Sequence, residues 1–515
     1  CSFLFFPPLP FFPSFLNYME AKRKDDHEIG FDFTKFPPSK WGDHFLTVTV
    51  TDSDLDALAK EIELLKPKVR DMLILYSEDD GETTKRKILI IHFLVTLGLA
   101  YHFENEIEHI VKVAFEKIAN LIADENDLYT ISIMFRVFRT YGHNMSSGML
   151  SFYEALHFRT TTDYILDEAL SFTWSHLEPI ATGQLASPGH ISRLIQKALH
   201  IPQHMNIEAL VAREYISFYE QEDNHDDTLL KLAKLNFKFL QLHYFQELKT
   251  ITLWLAALMM YFEPQFSLGR IMSAKLYLAI TFLDDACDTY ASIDEVMNLV
   301  DCIERWDPDY MGKLQGHMKT AFKFVMSVYK EYEDTLRSQG RLFVLDEMIE
   351  EILVRTNLQL VKWAREDYMP SALMKIGKKR YFEWLRSRPK VVQVLAAKTR
   401  LMDDMTDYEE DIGKGYTANA LNYYIKQHGV TKEKAIKEFG KMIKDINKIV
   451  NEECLKTTNI SRRVLNQIIN YGRSLDVLYT SDDVFNHREG MLKEYITTLL
   501  VDPINTSLEF RVEKS

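Results

Sequence analysis

The chain has 515 residues, 46% of them hydrophobic, and a formal net charge of −14. That charge excludes a nucleic-acid surface built on bulk positive potential, and an anionic ligand would have to be held by local cations rather than drawn in by the overall field. With only 19 Gly and 15 Pro, helical spacing of apolar positions throughout and no window that alternates like a sheet, the sequence predicts an all-α protein long enough for two domains.

In chain order, residues 1–18 are set aside as an extension ahead of Met19. They contain no Lys or Arg, and Pro7, Pro8, Pro10 and Pro13 prevent a membrane helix. They are neither Ser- nor Arg-rich, so no targeting signal is read and a cytoplasmic location is expected, with a plastid one as the alternative if the N-terminus is truncated. The four cysteines (Cys1, Cys287, Cys302, Cys454) make no CxxC pair, which fits a reducing compartment. Asp52, Ser53 and Asp54 read as the cap and first turn of a helix carrying Leu58 and Ile62. The polar run from Gln221 to Asp227 reads as the boundary between a first domain, 19–222, and a second, 223–515. Leu229, Leu232, Leu235, Phe239 and Leu242 then recur at helical spacing.

Two acidic clusters follow. The apolar stretch Ile271 to Leu283 runs into Asp284, Asp285 and Asp288, and helical geometry sets Asp284 and Asp288 one turn apart on one face. Like charges at that spacing repel, and acids near a helix C-terminus oppose its dipole. A solvated helix end is the bland explanation; a bound cation is the other, since paired carboxylates with room for water and phosphate oxygens suit Mg²⁺. The second cluster, Arg400 to Asp411, follows Val391–Ala397, with Pro389 as a start signal and Gly413 as a stop. Asp403, Asp407 and Asp411 fall at four-residue steps, and Arg400 precedes Asp403 by three, on nearly the same face. Glu409 and Glu410 read as a solvated turn.

The order and separation of these clusters resemble class I plant terpene synthases, with Asp284–Asp288 similar to their DDxxD and Asp403, Asp407 and Asp411 similar to their second metal motif. Phe36–Phe45, Leu150–Ala155, Thr162–Ala169, Tyr261–Pro264, Phe382–Leu385 and Leu499–Ile504 extend the resemblance over nearly everything from Phe36 to Ile504. It implies an N-terminal helical barrel and a C-terminal class I helical bundle. It implies Mg²⁺, three ions with Mn²⁺ as the alternative metal, held by Asp284, Asp288, Asp403, Asp407 and Asp411. A prenyl diphosphate would be the substrate, with Asp284, Asp285, Arg400 and Tyr479 in catalytic roles and Phe485 a further aromatic candidate. A farnesyl diphosphate to sesquiterpene reaction is the expectation, C20 or C25 diphosphates being alternatives. The protein would be a monomer acting without nucleic acid or membrane insertion.

The departures are as informative. Asp407 stands where the family has Ser or Thr, and Asp411 where it has Glu. The family's Arg-x-Arg ahead of DDxxD is missing: position 249 is Lys, and Arg270 is the only arginine between Tyr219 and Asp284. The sequence jumps at Ser147–Gly148, between Lys249 and Ala257, and at Ser371–Ala372, each time by about twenty residues, or more than five helical turns, relative to the family. A catalytically impaired or mis-spliced form is therefore the alternative to an active enzyme.

Overall fold

The computed structural model describes residues 50–74, 81–143 (save 124 and 126), 153–248, 254–338 (save 291, 292 and 307), 389–413 (save 407), 419–479 and 491–506, with isolated positions from 340 to 387. Among these residues there is no strand, in keeping with the all-α expectation. No helix among them is long and apolar enough to cross a membrane. The Ser147–Gly148 and Ser371–Ala372 jumps, and the third as far as Leu253, lie outside the described residues. Two compact units emerge, one built among these residues from Thr250–Ala257 and Leu268–Ile443, the other from Asp43–Lys249, Leu258–Ser267 and Lys444–Ser515.

The latter unit begins with α1 (Asp52–Ile74), which buries Leu58, Ile62, Leu65, Val69 and Leu73 in one stripe. Its start is a reciprocal cap: Thr51 Oγ1 donates to Asp54 Oδ2 at 2.7 Å, and Asp54 N donates to Thr51 Oγ1 at 3.2 Å. The predicted first turn is therefore present, but its cap is Thr51 rather than Asp52. The chain continues through α2 (Gly81–Thr96), α3 (Glu104–Glu116), α4 (Ile118–Ala123), α5 (Leu128–Thr140), α6 (Tyr153–Leu156), α7 (Tyr164–Ala181), α8 (Gly189–His200), α9 (Glu208–Tyr219) and α10 (Asp227–Leu248). α1 packs along α10, which buries Leu229, Leu232, Leu235 and Leu242 as their spacing predicts, while Phe239 of the same series is only half-buried.

Polar side chains of α10 fasten distant segments. Tyr244 Oη donates to the Phe262 carbonyl at 2.7 Å, and Gln241 Nε2 donates to the Leu500 carbonyl at 3.0 Å. Buried Asn236 accepts from Tyr101 Oη at 2.5 Å. Each bond satisfies a group whose burial unpaired would cost about 1–3 kcal/mol.

One helical pair is thinly covered. Tyr153, at the start of α6, meets Trp174 of α7 with ring centroids 6.0 Å apart. α7 has eighteen residues. Leu166 is the buried residue of α7, whereas Trp174 is 39% exposed and Phe172 64%.

The remaining helices are α11 (Trp254–Met260), α12 (Ser267–Tyr290), α13 (Ile293–Arg305), α14 (Gly316–Ser338), α15 (Lys390–Thr406), α16 (Tyr408–Gly413), α17 (Ala420–His428), α18 (Lys432–Lys456), α19 (Arg462–Leu478) and α20 (Met491–Ile496). α12, α13 and α14 share a core of Met272, Leu276, Ala279, Leu283, Leu299, Ile303, Met318, Phe322 and Val325. Tyr332 Oη donates to the Met272 carbonyl at 2.8 Å, tying α14 to α12. A second core joins α15, α17 and the start of α18 through Leu421, Ala435 and Phe439.

Glu154 offers a test of this packing. Its Oε2 accepts from Gln203 N at 2.9 Å, while Oε1 is buried with no hydrogen-bond partner. Burial pushes its carboxyl up to about 7. A carboxyl raised above its unfolded value stabilises below the unfolded pKa and loses that contribution as pH climbs from about 4.5 through about 7. Glu154→Gln is therefore expected to be more stable than wild type at pH 8, by on the order of 2 kcal/mol, with the gap closing near pH 5. Urea unfolding at the two pH values checks this, and a gap independent of pH would contradict it.

Candidate active site

The first acidic cluster occupies the last two turns of α12. The helical backbone runs unbroken from the buried Leu283 through Asp284, Asp285 and Asp288 to Tyr290, setting Asp284 and Asp288 one turn apart as expected. α12 is held by the core at Met272, Leu276, Ala279 and Leu283, so these acids extend a helix whose register is fixed by packing. Arg270 is completely buried within the same helix.

The second cluster begins in the final turn of α15, which starts directly after Pro389 as the sequence suggests. Asp403 is 3% exposed and Asp404 1%. Burying two adjacent carboxylates is costly unless they are compensated. The compensation is visible. Arg400 donates from Nε to Asp404 Oδ2 at 2.9 Å and lies with Nη2 2.6 Å from Asp404 Oδ1. Its Nη1 lies 3.7 Å from Asp403 Oδ2. Ala420 N donates to Asp404 Oδ2 at 2.7 Å. Asn419 caps α17, its Oδ1 accepting from Leu421 N at 2.9 Å and Asn422 N at 3.2 Å, while its Nδ2 donates to the Asp404 carbonyl at 2.9 Å.

Asp411 lies in α16, described through Gly413, and Asp407 lies outside the described residues. Tyr479 is buried and closes α19, its N–H bonded to the Leu475 carbonyl at 3.0 Å, in the other unit from Arg400 and the acidic clusters. Phe485 lies outside the described residues. Two residues of this neighbourhood, Asp404 and Asn419, were not singled out from sequence. The signal for Asp404 was its four-residue spacing from Arg400, and for Asn419 its position before a helix.

The donor set is one of hard carboxylate oxygens on helical turns, with neither thiolate nor imidazole among the candidates, and it fits a hard divalent cation such as Mg²⁺.

The terpene synthase metal-binding domain model matches residues 235–377 and 371–449, and the terpene synthase N-terminal domain model matches 40–148 and 147–199. The chain belongs to the terpene synthase family. Terpene synthases are enzymes, and both acidic clusters lie within the matched metal-binding domain. Alpha-barbatene synthase of Arabidopsis thaliana is 62% identical, aligned over 94% of this chain and 100% of its own length. (Z)-gamma-bisabolene synthase 2 of the same plant is 51% identical over 95% of this chain and 100% of its own. Among solved structures, limonene synthase with 2-fluorolinalyl diphosphate superimposes with a TM-score of 0.77 at 21% identity, over 91% of this chain and 99% of that one. Isoprene synthase from grey poplar (Populus x canescens), in complex with three Mg²⁺ ions and dimethylallyl-S-thiolodiphosphate, gives 0.74 at 22%, over 88% and 100%. At those identities the shared feature is the fold, the helical class I terpene synthase fold expected from sequence.

The matches also bear on the jumps. Each domain model fits this terpene synthase in two pieces, whose joints fall at 147–148 and 371–377. Alignment to the barbatene synthase runs over 555 positions but takes in 94% of 515 residues, about 484, so about 70 positions face no residue of this chain.

Asn419→Ala is expected to destabilise the protein by about 1–2 kcal/mol, because it removes a helix cap and frees a buried carbonyl. A lower urea midpoint would show this, and an unchanged one would mean the cap contributes nothing.

Proposed function

We propose that this terpene synthase ionises and cyclises a prenyl diphosphate in a Mg²⁺-dependent reaction, with farnesyl diphosphate converted to a sesquiterpene. The observation that carries the reading is the pair of acidic helix ends, Asp284–Asp288 on α12 and Asp403 on α15, inside the matched metal-binding domain. Asp284, Asp288, Asp403, Asp407 and Asp411 would hold the metal, as three Mg²⁺ ions with Mn²⁺ as substitute. The division into a domain of 19–222 and a catalytic domain of 223–515 belongs to the same reading. High identity to barbatene and bisabolene synthases supports the C15 substrate. The buried free thiols of Cys302 and Cys454 support a reducing compartment, hence a cytoplasmic enzyme, which we take to act as a monomer.

Metal ions held by these carboxylates would supply the positive charge that turns the diphosphate into a leaving group. Asp285 and Arg400 would stand beside that charge, Arg400 held in place by Asp404. Loss of diphosphate breaks the allylic C–O bond, the electron pair leaving with oxygen. The carbocation then needs a dry, shaped cavity. The face of Tyr479 would stabilise it during cyclisation.

Metal-linked binding supplies the first test. Mg²⁺ with inorganic diphosphate is expected to raise the melting temperature of wild type and to leave Asp284→Ala and Asp403→Ala unmoved, since a ligand that binds only the folded state stabilises it. Equal shifts in all three proteins would sink the assignment.

A second reading, a catalytically impaired form, is favoured by the roughly 70 unmatched alignment positions and by the exposed Phe172 and Trp174 of α7. A version of the chain carrying relatives' segments at the three jumps is expected to turn over farnesyl diphosphate at least 10²–10³ times faster, the usual cost of one lost electrostatic donor. Turnover and product analysis with C10, C15, C20 and C25 diphosphates checks both points. Matching rates and products in the two versions would make the jumps harmless, and a C10 preference would refute the farnesyl assignment.

A further inference from the structure

We propose that Asp404 is the positioning residue of the second acidic cluster: the protein, rather than the metal, takes its carboxylate, and in doing so it sets the neighbouring Asp403. The inference rests on the metal-binding reading of this cluster.

Three donors converge on the two carboxylate oxygens of Asp404. Arg400 grips it as a two-point fork, with Nε 2.9 Å from Oδ2 and Nη2 2.6 Å from Oδ1, and the Ala420 N–H reaches Oδ2 at 2.7 Å. A bidentate guanidinium pair fixes orientation as well as distance. The backbone of the same residue is held too, because its carbonyl accepts from Asn419 Nδ2 at 2.9 Å. Side chain and main chain of one residue are thus both fastened to the first turn of α17. α17 is itself anchored, with Leu421 fully buried against Phe439 in the second core of this unit.

The placement has an electrostatic logic. The carboxylate sits at the N-terminal end of α17, where negative charge is favoured. Arg400 bonds Asp404 and stands 3.7 Å from Asp403, beyond hydrogen-bond range, so its charge offsets both acids while its geometry is committed to one. Asp403, one residue earlier on a backbone pinned at Asp404, inherits a fixed direction. Groups that orient a metal ligand without touching the metal typically contribute 10–100-fold to its affinity.

Thermal shift of the full chain, titrated with Mg²⁺ at constant inorganic diphosphate, tests this without requiring turnover. Asp404→Asn keeps the shape and an acceptor for Ala420 N–H but loses the charge that Arg400 grips. Expected is a half-saturating Mg²⁺ concentration raised about 10–100-fold, with a metal-free melting temperature close to wild type. Arg400→Lys, which keeps the charge without the fork, is expected to fall between and serves if Asp404→Asn does not fold. An unchanged half-saturation overturns the proposal, including the case where only the metal-free melting temperature falls, which would make Asp404 merely structural. Complete loss of the shift in Asp404→Asn, as in Asp403→Ala, also overturns it by making Asp404 a direct ligand. No Mg²⁺-dependent shift in wild type would instead defeat the underlying metal reading, and the proposal with it.

Discussion

Carboxylates crowded one helical turn apart repel each other, and the unit that holds both acidic clusters compensates part of that charge. At the second cluster the compensation is built in. Arg400 and the Ala420 N–H surround Asp404, and Asn419 secures its carbonyl. The result couples three elements: the end of α15, the cap of α17, and the core of Leu421, Ala435 and Phe439 beneath them. At the first cluster the acids continue a helix locked by a stripe of core residues ending in Leu283. Packing below and hydrogen bonding beside set the directions of these carboxylates, as a metal site would require.

The other unit is organised differently. α10 is its organising element, apolar toward α1 and carrying buried polar side chains that reach backbone carbonyls far away in sequence. Tyr244 holds the Tyr261–Pro264 segment and Gln241 holds the Leu499–Leu500 segment. Both had stood out as family-like stretches without an evident role. Their shared role is to supply carbonyl oxygens to side chains of one helix. α7 contrasts with this, leaving Phe172 and Trp174 exposed.

Helical identity, the two acidic clusters and the family were legible from the chain alone. The physical reason is that each depends on local spacing: apolar residues every three or four positions, acids at four-residue steps, and Pro389 as a start. The α1 stripe Leu58–Leu73 and the α10 stripe Leu229–Leu242 followed from the same periodicity. Tertiary structure alone decided which partner each polar group takes. Nothing in the spacing of Arg400 distinguishes Asp403 from Asp404, since both lie within one turn of it. That choice fell to Asp404 because α17 arrives from residues further along the chain and brings the Ala420 N–H to the same oxygen. Nor could sequence show that Thr51, not Asp52, caps α1, or that burial holds Glu154 near neutrality. Periodicity reports which face of a helix is apolar; burial, partners and protonation depend on what is packed against that face, and only the folded chain supplies it.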